Sequence, residues 1–486
     1  SPPIDSNTSQ KLGNDFDTVS EFTNITLFTT ALCNLNCGYC YICKDATGCL
    51  KQIDDDLAKD FENGSQIKQV YDVDPEADKH IKHITLWGGE PFLHIERFID
   101  HFEEYVKAFP NFNELDTSTN FTLPNQVESL KRLFDTIIKY YHGNQKFHFD
   151  LQVSIDGPEE MNDLGRGKGV TQKFLKNFRD LCELEFDDSK IDLYVHTKPT
   201  FSKPTFHFVD TPEKAYEWFE FFDREMYQPY KNRKTRKWCF LPCLFNYATP
   251  AEWTKDDGLE VAKIYRSIQK ATPKIKQLDG WIPNYETYIP SVEFLLGRLK
   301  DNNSFNKKKC LDCSKPFCGG GCGSFSHVVV PIHDGKYTMC HRGMFDDYVD
   351  YHNNMKDHAD MNGLAAKYVQ TNNESAWIYD KDQFLNLKKT FDNLILYPHQ
   401  IFYTDYVKFV YEYAKAGIID EKWTDMSKID KTIAIFVDKS CCLQDSYIIT
   451  GSWITSNPLE IPLWYNGAMD VVEEEIDRIM AERGIV

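Results

Sequence analysis

Three cysteines fall within eight residues, Cys33-Asn34-Leu35-Asn36-Cys37-Gly38-Tyr39-Cys40, directly after a strand-like run from Asn24 to Thr30. Three thiolates can hold three irons of a cubane cluster and leave the fourth iron open to a bidentate small molecule. The same residue types also serve zinc, because a three-thiolate zinc with one open position is a catalytic arrangement. Context separates the two. Tyr39 stands before the last cysteine, and Trp87-Gly88-Gly89-Glu90-Pro91 follows at the end of the next strand-like segment. Two glycines allow close approach of backbone, and Glu90 supplies negative charge for an ammonium group; a tight strand-helix turn with Pro91 at a helix start accounts for the segment equally well.

Taken together, CxxxCxxC with an aromatic residue before its last cysteine, followed by a strand ending in GGEP, resembles the radical SAM superfamily. The resemblance implies a [4Fe-4S] cluster on Cys33, Cys37 and Cys40, with the amino group of S-adenosylmethionine (SAM) held by Gly88, Gly89 and Glu90. Thr119-Asn120 resembles the family's threonine-asparagine-glycine, with Phe121 where glycine is usual. Ser154-Ile155-Asp156-Gly157-Pro158 resembles the segment whose serine, and here Asp156, bonds the SAM ribose. Arg166, within Gly165 to Gly169, is a candidate to pair with the methionine carboxylate, and a flexible surface loop explains it equally well. Phe240-Leu241-Pro242 matches the segment near adenine.

A second cysteine group, Cys310, Cys313, Cys318, Cys322 and Cys340, has glycines that let backbone wrap a cluster. It reads as a metal site, iron-sulfur before zinc. Cys322 through Gly335 to Cys340-His341-Arg342 resembles the opening hairpin of the SPASM or twitch extension. Cys310 to Cys322 resembles its CxxC-x5-CxxxC element, one residue short and placed before the hairpin. The expectation is at least one auxiliary [4Fe-4S] cluster, with a second left open. Cys43, Cys49, Cys239 and Cys243 are spare ligands, and adjacent Cys441 and Cys442 are poor ones. Cys182 reads as core packing. Asp156, Asp312 and His341 are acid-base candidates by position alone.

The elements that must position these residues alternate. Strand-like segments run from Asn24 to Thr30, His83 to Trp87, Glu114 to Thr119, Phe147 to Ser154, Asp192 to Thr197 and Trp238 to Leu241. Helical patterns lie at Ile95 to Phe109, Gln126 to Tyr141, Gln172 to Glu185 and Pro212 to Tyr227. Six such repeats imply an α/β fold, a partial (β/α)6 TIM-like barrel with the motif residues at the carboxyl ends of the strands, where barrel active sites form. The expected organisation is a tail over 1–20, a core barrel over 21–250 and a helical bridge over 251–309. A cysteine-rich SPASM/twitch-like region follows over 310–350, then a mixed, largely helical C-terminal region over 351–486. That last region has helical runs at Phe402 to Ala416 and Val471 to Arg483 around a β-like stretch, Thr432 to Trp453.

The 486 residues carry a net charge of −19, which argues against nucleic acid as a partner. The basic run Lys231, Arg233, Lys234, Arg236 and Lys237 reads as a solvated connection, or as a contact for an acidic leader peptide. Neither a signal peptide nor a membrane span is expected, and fifteen grouped cysteines suit a reducing cytoplasm. The resemblance implies a 5'-deoxyadenosyl radical acting on a ribosomally made peptide or protein substrate, with an electron donor such as flavodoxin or ferredoxin. With only thirty-two residues before Cys33, a leader-binding module is expected to be absent or supplied by a separate protein. A small-molecule dehydrogenase with one auxiliary cluster and a non-catalytic iron-sulfur or zinc protein are the alternatives.

Overall fold

The computed structural model describes residues 21–40, 49–233, 239–241, 246–247, 254–280, 327–338, 378–392, 411, 415, 421–425 and 469–484. Six parallel strands follow the chain around the sheet: β1 (Asn24–Thr30), β2 (His83–Gly88), β3 (Glu114–Thr119), β4 (Phe147–Val153), β5 (Ile191–Thr197) and β6 (Cys239–Leu241). Their pairing in sequence order is what a chain of β-α units produces, since each helix carries the chain back to start a strand beside the last. The expected strands therefore stand where the sequence placed them, within a residue or so at each end.

Helices cover the outer face: α1 (Cys49–Asn63), α2 (Ser65–Val73), α3 (Glu96–Ala108), α4 (Gln126–Tyr140), α5 (Glu159–Arg166), α6 (Val170–Glu183) and α7 (Pro212–Phe222). The connection between β1 and β2 holds α1 and α2, which the sequence reading left without elements; Cys49 begins α1 rather than standing in the cysteine loop. The helical pattern from Pro212 to Tyr227 is an α-helix to Phe222 and then one π-helical stretch, Asp223–Tyr227.

Strands β4 and β5 alternate strictly. Phe147, Phe149, Leu151 and Val153, like Ile191, Leu193 and Val195, are fully buried against the helices. The residues between them are polar and half-buried on the inner face. A parallel strand covered on both sides is usually apolar throughout, so this alternation marks a barrel whose lumen is solvated.

On the other side of β1 the sheet continues into β7 (Val328–Ile332), which is parallel to β1, and then into antiparallel β8 (Lys336–Thr338) and β9 (Ile378–Tyr379). Strands β7 and β8 form a hairpin whose three-residue tip, His333–Gly335, has Asp334 at φ 65° and Gly335 at φ 66°, positions that favour Asp, Asn and Gly. A hairpin around Gly335 thus extends the barrel sheet; the Cys322 and Cys340–Arg342 ends of the expected SPASM-type hairpin lie outside the described residues. It is fastened by Gln69 of α2, whose amide donates to Ile332 O and Lys336 O, and by Tyr337, whose hydroxyl donates to Gln69 O. Helix α8 (Lys255–Ile275) packs on α7 and on α10 (Met469–Glu482), where Arg266 pairs with Glu475 and Glu482; α9 (Lys381–Asp392) follows β9.

Cys310, Cys313, Cys318, Cys322 and Cys340, with Asp312 and His341, lie outside the described residues, as do Cys43, Cys243, Cys441, Cys442 and the β-like stretch 432–453. Cys182 is buried on α6, and burial pushes its thiol up to about 12, as core packing requires. In the basic run, Lys231 pairs with Asp279 at 2.6 Å and Arg233 is buried over the Tyr230 ring. Those two residues belong to the fold; 234–237 lie outside the described residues. No described helix is long and apolar enough to cross a membrane.

Candidate active site at the barrel mouth

The loop after β1 is held at its root by a buried acid. Asp54 of α1 accepts from the Thr30 hydroxyl at 2.5 Å and from Ala31 N at 3.1 Å, and it forms a two-point ion pair with Arg97. Burial alone would raise its pKa, but Arg97 and Thr30 outweigh that and hold the carboxyl below its ordinary range. The sequence reading missed Asp54 and Arg97; neither lies in a motif, and only helix placement brings them under the loop.

Beside this root the loop after β2 comes into backbone contact. Gly89 N donates to Thr30 O and Glu90 N to Leu32 O. A Cβ on Gly89 would stand 2.3 Å from Leu32 O, and one on Gly88 2.5 Å from Thr30 O. The two glycines are therefore required first by the approach of the cysteine loop. Glu90 is fully buried, accepting from Thr119 Oγ1 at 2.6 Å, Asn120 N at 2.7 Å and Phe92 N at 3.1 Å. Burial raises its pKa to about 7 despite these three donors. Thr119 and Asn120, read as SAM contacts, hold Glu90 in place here. Asn120 also reaches Cys33, its amide 3.8 Å from Sγ, and Leu35 N lies 3.4 Å from the same sulfur.

Phe121 adopts a left-handed backbone, the conformation that glycine enters most readily. Its φ is 58°, which costs a non-glycine residue about 1–2 kcal/mol. The ring is fully buried against Phe174, and Asn177 Nδ2 caps the carbonyls of Phe121 and Leu123. Burying a phenylalanine is worth about 1.5–3 kcal/mol, enough to offset the strain.

Asp156 and Arg166 are each other's main partners. Arg166, at the end of α5, makes a bidentate pair with Asp156 through two bonds of 2.9 Å; only 1 % of the Asp156 side chain and 8 % of the Arg166 side chain are exposed. Asp156 also accepts from Tyr39 OH at 2.6 Å and Thr200 N at 3.0 Å, so four donors fill its acceptor positions. Burial works against the Arg166 charge, yet Asp156 outweighs it and the guanidinium pKa rises. Gly38 N donates to Gly165 O, completing a clamp from the cysteine loop to α5. The reading of Arg166 as part of a surface loop is thus corrected. Ser154 stands half-buried directly after β4, its N–H donating to Thr119 O at 2.9 Å. Leu241 ends β6 beside His196 of β5.

Cys33, Cys37 and Cys40 are partly exposed thiols, not disulfides, at this mouth. Among the described residues no three His, Cys, Asp or Glu side chains converge as a single-ion site. A cubane asks for something different, because each thiolate binds its own iron and the sulfurs stand apart around the cluster. The donor set fits such a cluster: three thiols on one loop, one already receiving two N–H groups that stabilise thiolate charge.

With that geometry in hand, the comparisons place the domain. Residues 27–204 match the model of the radical SAM superfamily, so the chain contains a radical SAM superfamily domain, of a class that uses SAM with a [4Fe-4S] cluster. Among solved structures, native anSMEcpe with bound AdoMet is similar at 19% identity over 67% of this chain and 74% of that chain, with a TM-score of 0.37. A polyhistidine-tagged form of anSMEcpe, also with bound AdoMet, gives 18% identity, 66% and 74% coverage, and 0.36. No curated protein matches the chain.

Proposed function

We propose that the protein uses its radical SAM domain to modify a ribosomally synthesised peptide or protein, by crosslinking, oxidation, epimerisation or fragment excision. The observation that carries the radical SAM part is the meeting of three elements at one barrel mouth: the cysteine loop, the GGE turn fitted under it, and the Asp156–Arg166 clamp on Tyr39. When bound, the cluster and SAM supply a 5'-deoxyadenosyl radical that takes a hydrogen atom from the substrate. The chain's own contribution is to orient and to exclude water. Cys33, Cys37 and Cys40 would hold the cluster, and Gly88, Gly89 and Glu90 would face the SAM ammonium. Glu90 suits that part because its burial makes a nearby cation favourable. Ser154 offers a hydroxyl for the ribose, and Leu241 an apolar edge near adenine.

Peptide modification rests on the resemblance of the cysteine-rich stretch from Cys310 to Cys340 to auxiliary-cluster extensions, whose [4Fe-4S] cluster would accept an electron from the substrate. A separate leader-binding protein and a flavodoxin or ferredoxin donor belong to the same proposal, as does a cytoplasmic setting. The test is direct. Reconstituted protein with dithionite and SAM should release 5'-deoxyadenosine, and alanine at Cys33, Cys37 and Cys40 should abolish it while leaving auxiliary iron. Fully loaded clusters without that product would sink the radical reading. A short precursor reading frame next to the gene, converted by the enzyme to a product of altered mass, would establish the peptide class.

A further inference from the structure

The thiol of Cys33 faces the side chain of Asn120, and the way that asparagine is held decides which end of its amide points at the sulfur. Asn120 Oδ1 accepts from Thr122 N at 3.1 Å and from Thr122 Oγ1 at 2.7 Å. A backbone N–H can only donate, so the amide oxygen must face residue 122 and the amide nitrogen the cysteine loop. Nδ2 donates to Asn34 Oδ1 at 2.8 Å and stands 3.8 Å from Cys33 Sγ. Asn34 Nδ2 in turn donates to Thr122 Oγ1 at 3.0 Å.

The three side chains close a ring, from Asn120 to Asn34 to Thr122 and back to Asn120, in which every donor points the same way round. Hydrogen bonds linked in this way polarise one another and strengthen each N–H as a donor. One amide proton of Asn120 belongs to the ring, and the other is directed at Cys33 Sγ. The backbone is fixed as well, since Asn120 N donates to Glu90 Oε2 at 2.7 Å and the residue is only 8 % exposed. Leu35 N, 3.4 Å from the same sulfur, is a second donor that no side-chain change removes.

A donor on a ligating sulfur stabilises the added electron of a reduced cluster more than it stabilises the oxidised form, and so raises the reduction potential. We infer that Asn120 is a positioning residue that tunes the cluster Cys33 would hold: its amide N–H on Cys33, aimed by the ring with Asn34 and Thr122, raises that cluster's potential. It thereby sets how much of the cluster a given electron donor keeps reduced. The inference rests on the cysteine loop carrying a cluster, as the radical SAM reading has it. It also separates two neighbours in one motif. Thr119 turns its hydroxyl to Glu90, whereas Asn120 turns its side chain to the cysteine loop.

The test is a redox titration of the reconstituted full chain without SAM, followed by electron paramagnetic resonance. The signal to follow is the one that alanine at Cys33, Cys37 and Cys40 removes. Asn120→Leu keeps the size of the side chain and loses the donor. It should lower the midpoint potential until the ratio of reduced to oxidised cluster at a fixed potential falls at least threefold, a shift of about 28 mV for a one-electron couple. Thr122→Val keeps its shape and opens the ring, and it should shift the potential in the same direction by less. A structural role alone leaves one further readout unmoved. With asparagine side-chain nitrogens isotopically labelled, pulsed resonance on the same signal should show a nitrogen coupling that Asn120→Leu abolishes and Asn34→Ala retains. A wild-type midpoint in Asn120→Leu, or a coupling that survives in it, would overturn the inference. Should Asn120→Leu fail to take up iron, Thr122→Val decides, and an unchanged midpoint there overturns it. A loop that builds no cluster in the wild type strikes the radical SAM reading and takes this inference with it. An unshifted potential in a loaded enzyme that releases 5'-deoxyadenosine strikes the inference alone.

Discussion

Replacing Asp156 with alanine tests the claim that the cysteine loop is positioned by a buried ion pair. The side chain receives four donors: two from Arg166, one from Tyr39 and one from Thr200 N. Its removal leaves the Arg166 guanidinium, only 8 % exposed, as a buried charge without its partner. Breaking a buried pair from one side costs about 3–5 kcal/mol. The lost Tyr39 and Thr200 bonds would not simply add to that, because all four donors share one carboxylate. A loss of about 4 kcal/mol corresponds to a drop in Tm of roughly 8–16 °C for a domain of this size. Thermal melting followed by circular dichroism measures it, and iron content after reconstitution measures the consequence at the cysteine loop, which should load less fully once Tyr39 is untethered. The Asp156→Leu, Arg166→Met pair sharpens the reasoning, since replacing both charges with apolar groups removes the unpaired cation. The double variant should therefore be more stable than Asp156→Leu alone. A single-variant loss below about 1 kcal/mol, or a double variant less stable than the single, would refute the clamp.

Three further outcomes follow from the same geometry. Gly89→Ala should lower stability by about 1–3 kcal/mol and reduce iron loading, because its Cβ meets the Leu32 carbonyl at 2.3 Å and only backbone movement relieves that; unchanged loading and Tm would contradict it. At Phe121 both small substitutions should destabilise, but glycine should be the better by about 1 kcal/mol, the reverse of the usual order, since alanine keeps the strain at φ 58° and glycine does not; urea denaturation of the two variants decides. Glu90, raised by burial from its ordinary value of 4.5 to about 7, binds a proton more tightly folded than unfolded. Its contribution therefore lowers stability as pH rises from about 4.5 to 7, by on the order of 3 kcal/mol in all. Glu90→Gln should flatten that slope in melts of the SAM-free protein, and SAM affinity of the wild type should strengthen through the same range as the carboxylate ionises beside the ammonium. A SAM affinity independent of pH would remove Glu90 from the ammonium site.

The barrel was legible because each strand carries its chemistry at its carboxyl end, and local patterns such as Ile95 to Phe109 have helical period along their whole length. The cysteine loop and the GGE turn were legible as motifs, but their reason was not: the glycines read as room for a ligand, and the structure requires them for contact with residues 30–32. Asp156 and Arg166 were singled out one by one, and the structure pairs them with each other. A pairing across ten residues of turn and helix leaves no periodic trace. At Phe121 the residue takes a left-handed backbone that costs it strain, and the buried ring offsets that cost.

The lumen is the part that a motif reading passes over, yet its signal is in plain view. Phe147-His148-Phe149-Asp150-Leu151-Gln152-Val153 and Ile191-Asp192-Leu193-Tyr194-Val195-His196-Thr197 alternate with period two, and a parallel strand that alternates must have one face in a polar space. With helices taking the apolar face, the polar face can only be the inside of the barrel. The motifs at the strand ends and the alternating polar face are thus two separate signals carried by the same strands. Asp116 and Asp150 stand in register on that face, Asp116 taking Thr85 and His83 on one oxygen and Asp150 pairing with His196 at 2.8 Å. Asp116→Asn should therefore lower Tm through the weakened His83 and Thr85 contacts, more than the same change at a solvent-facing aspartate such as Asp100; an unchanged Tm would contradict that reasoning.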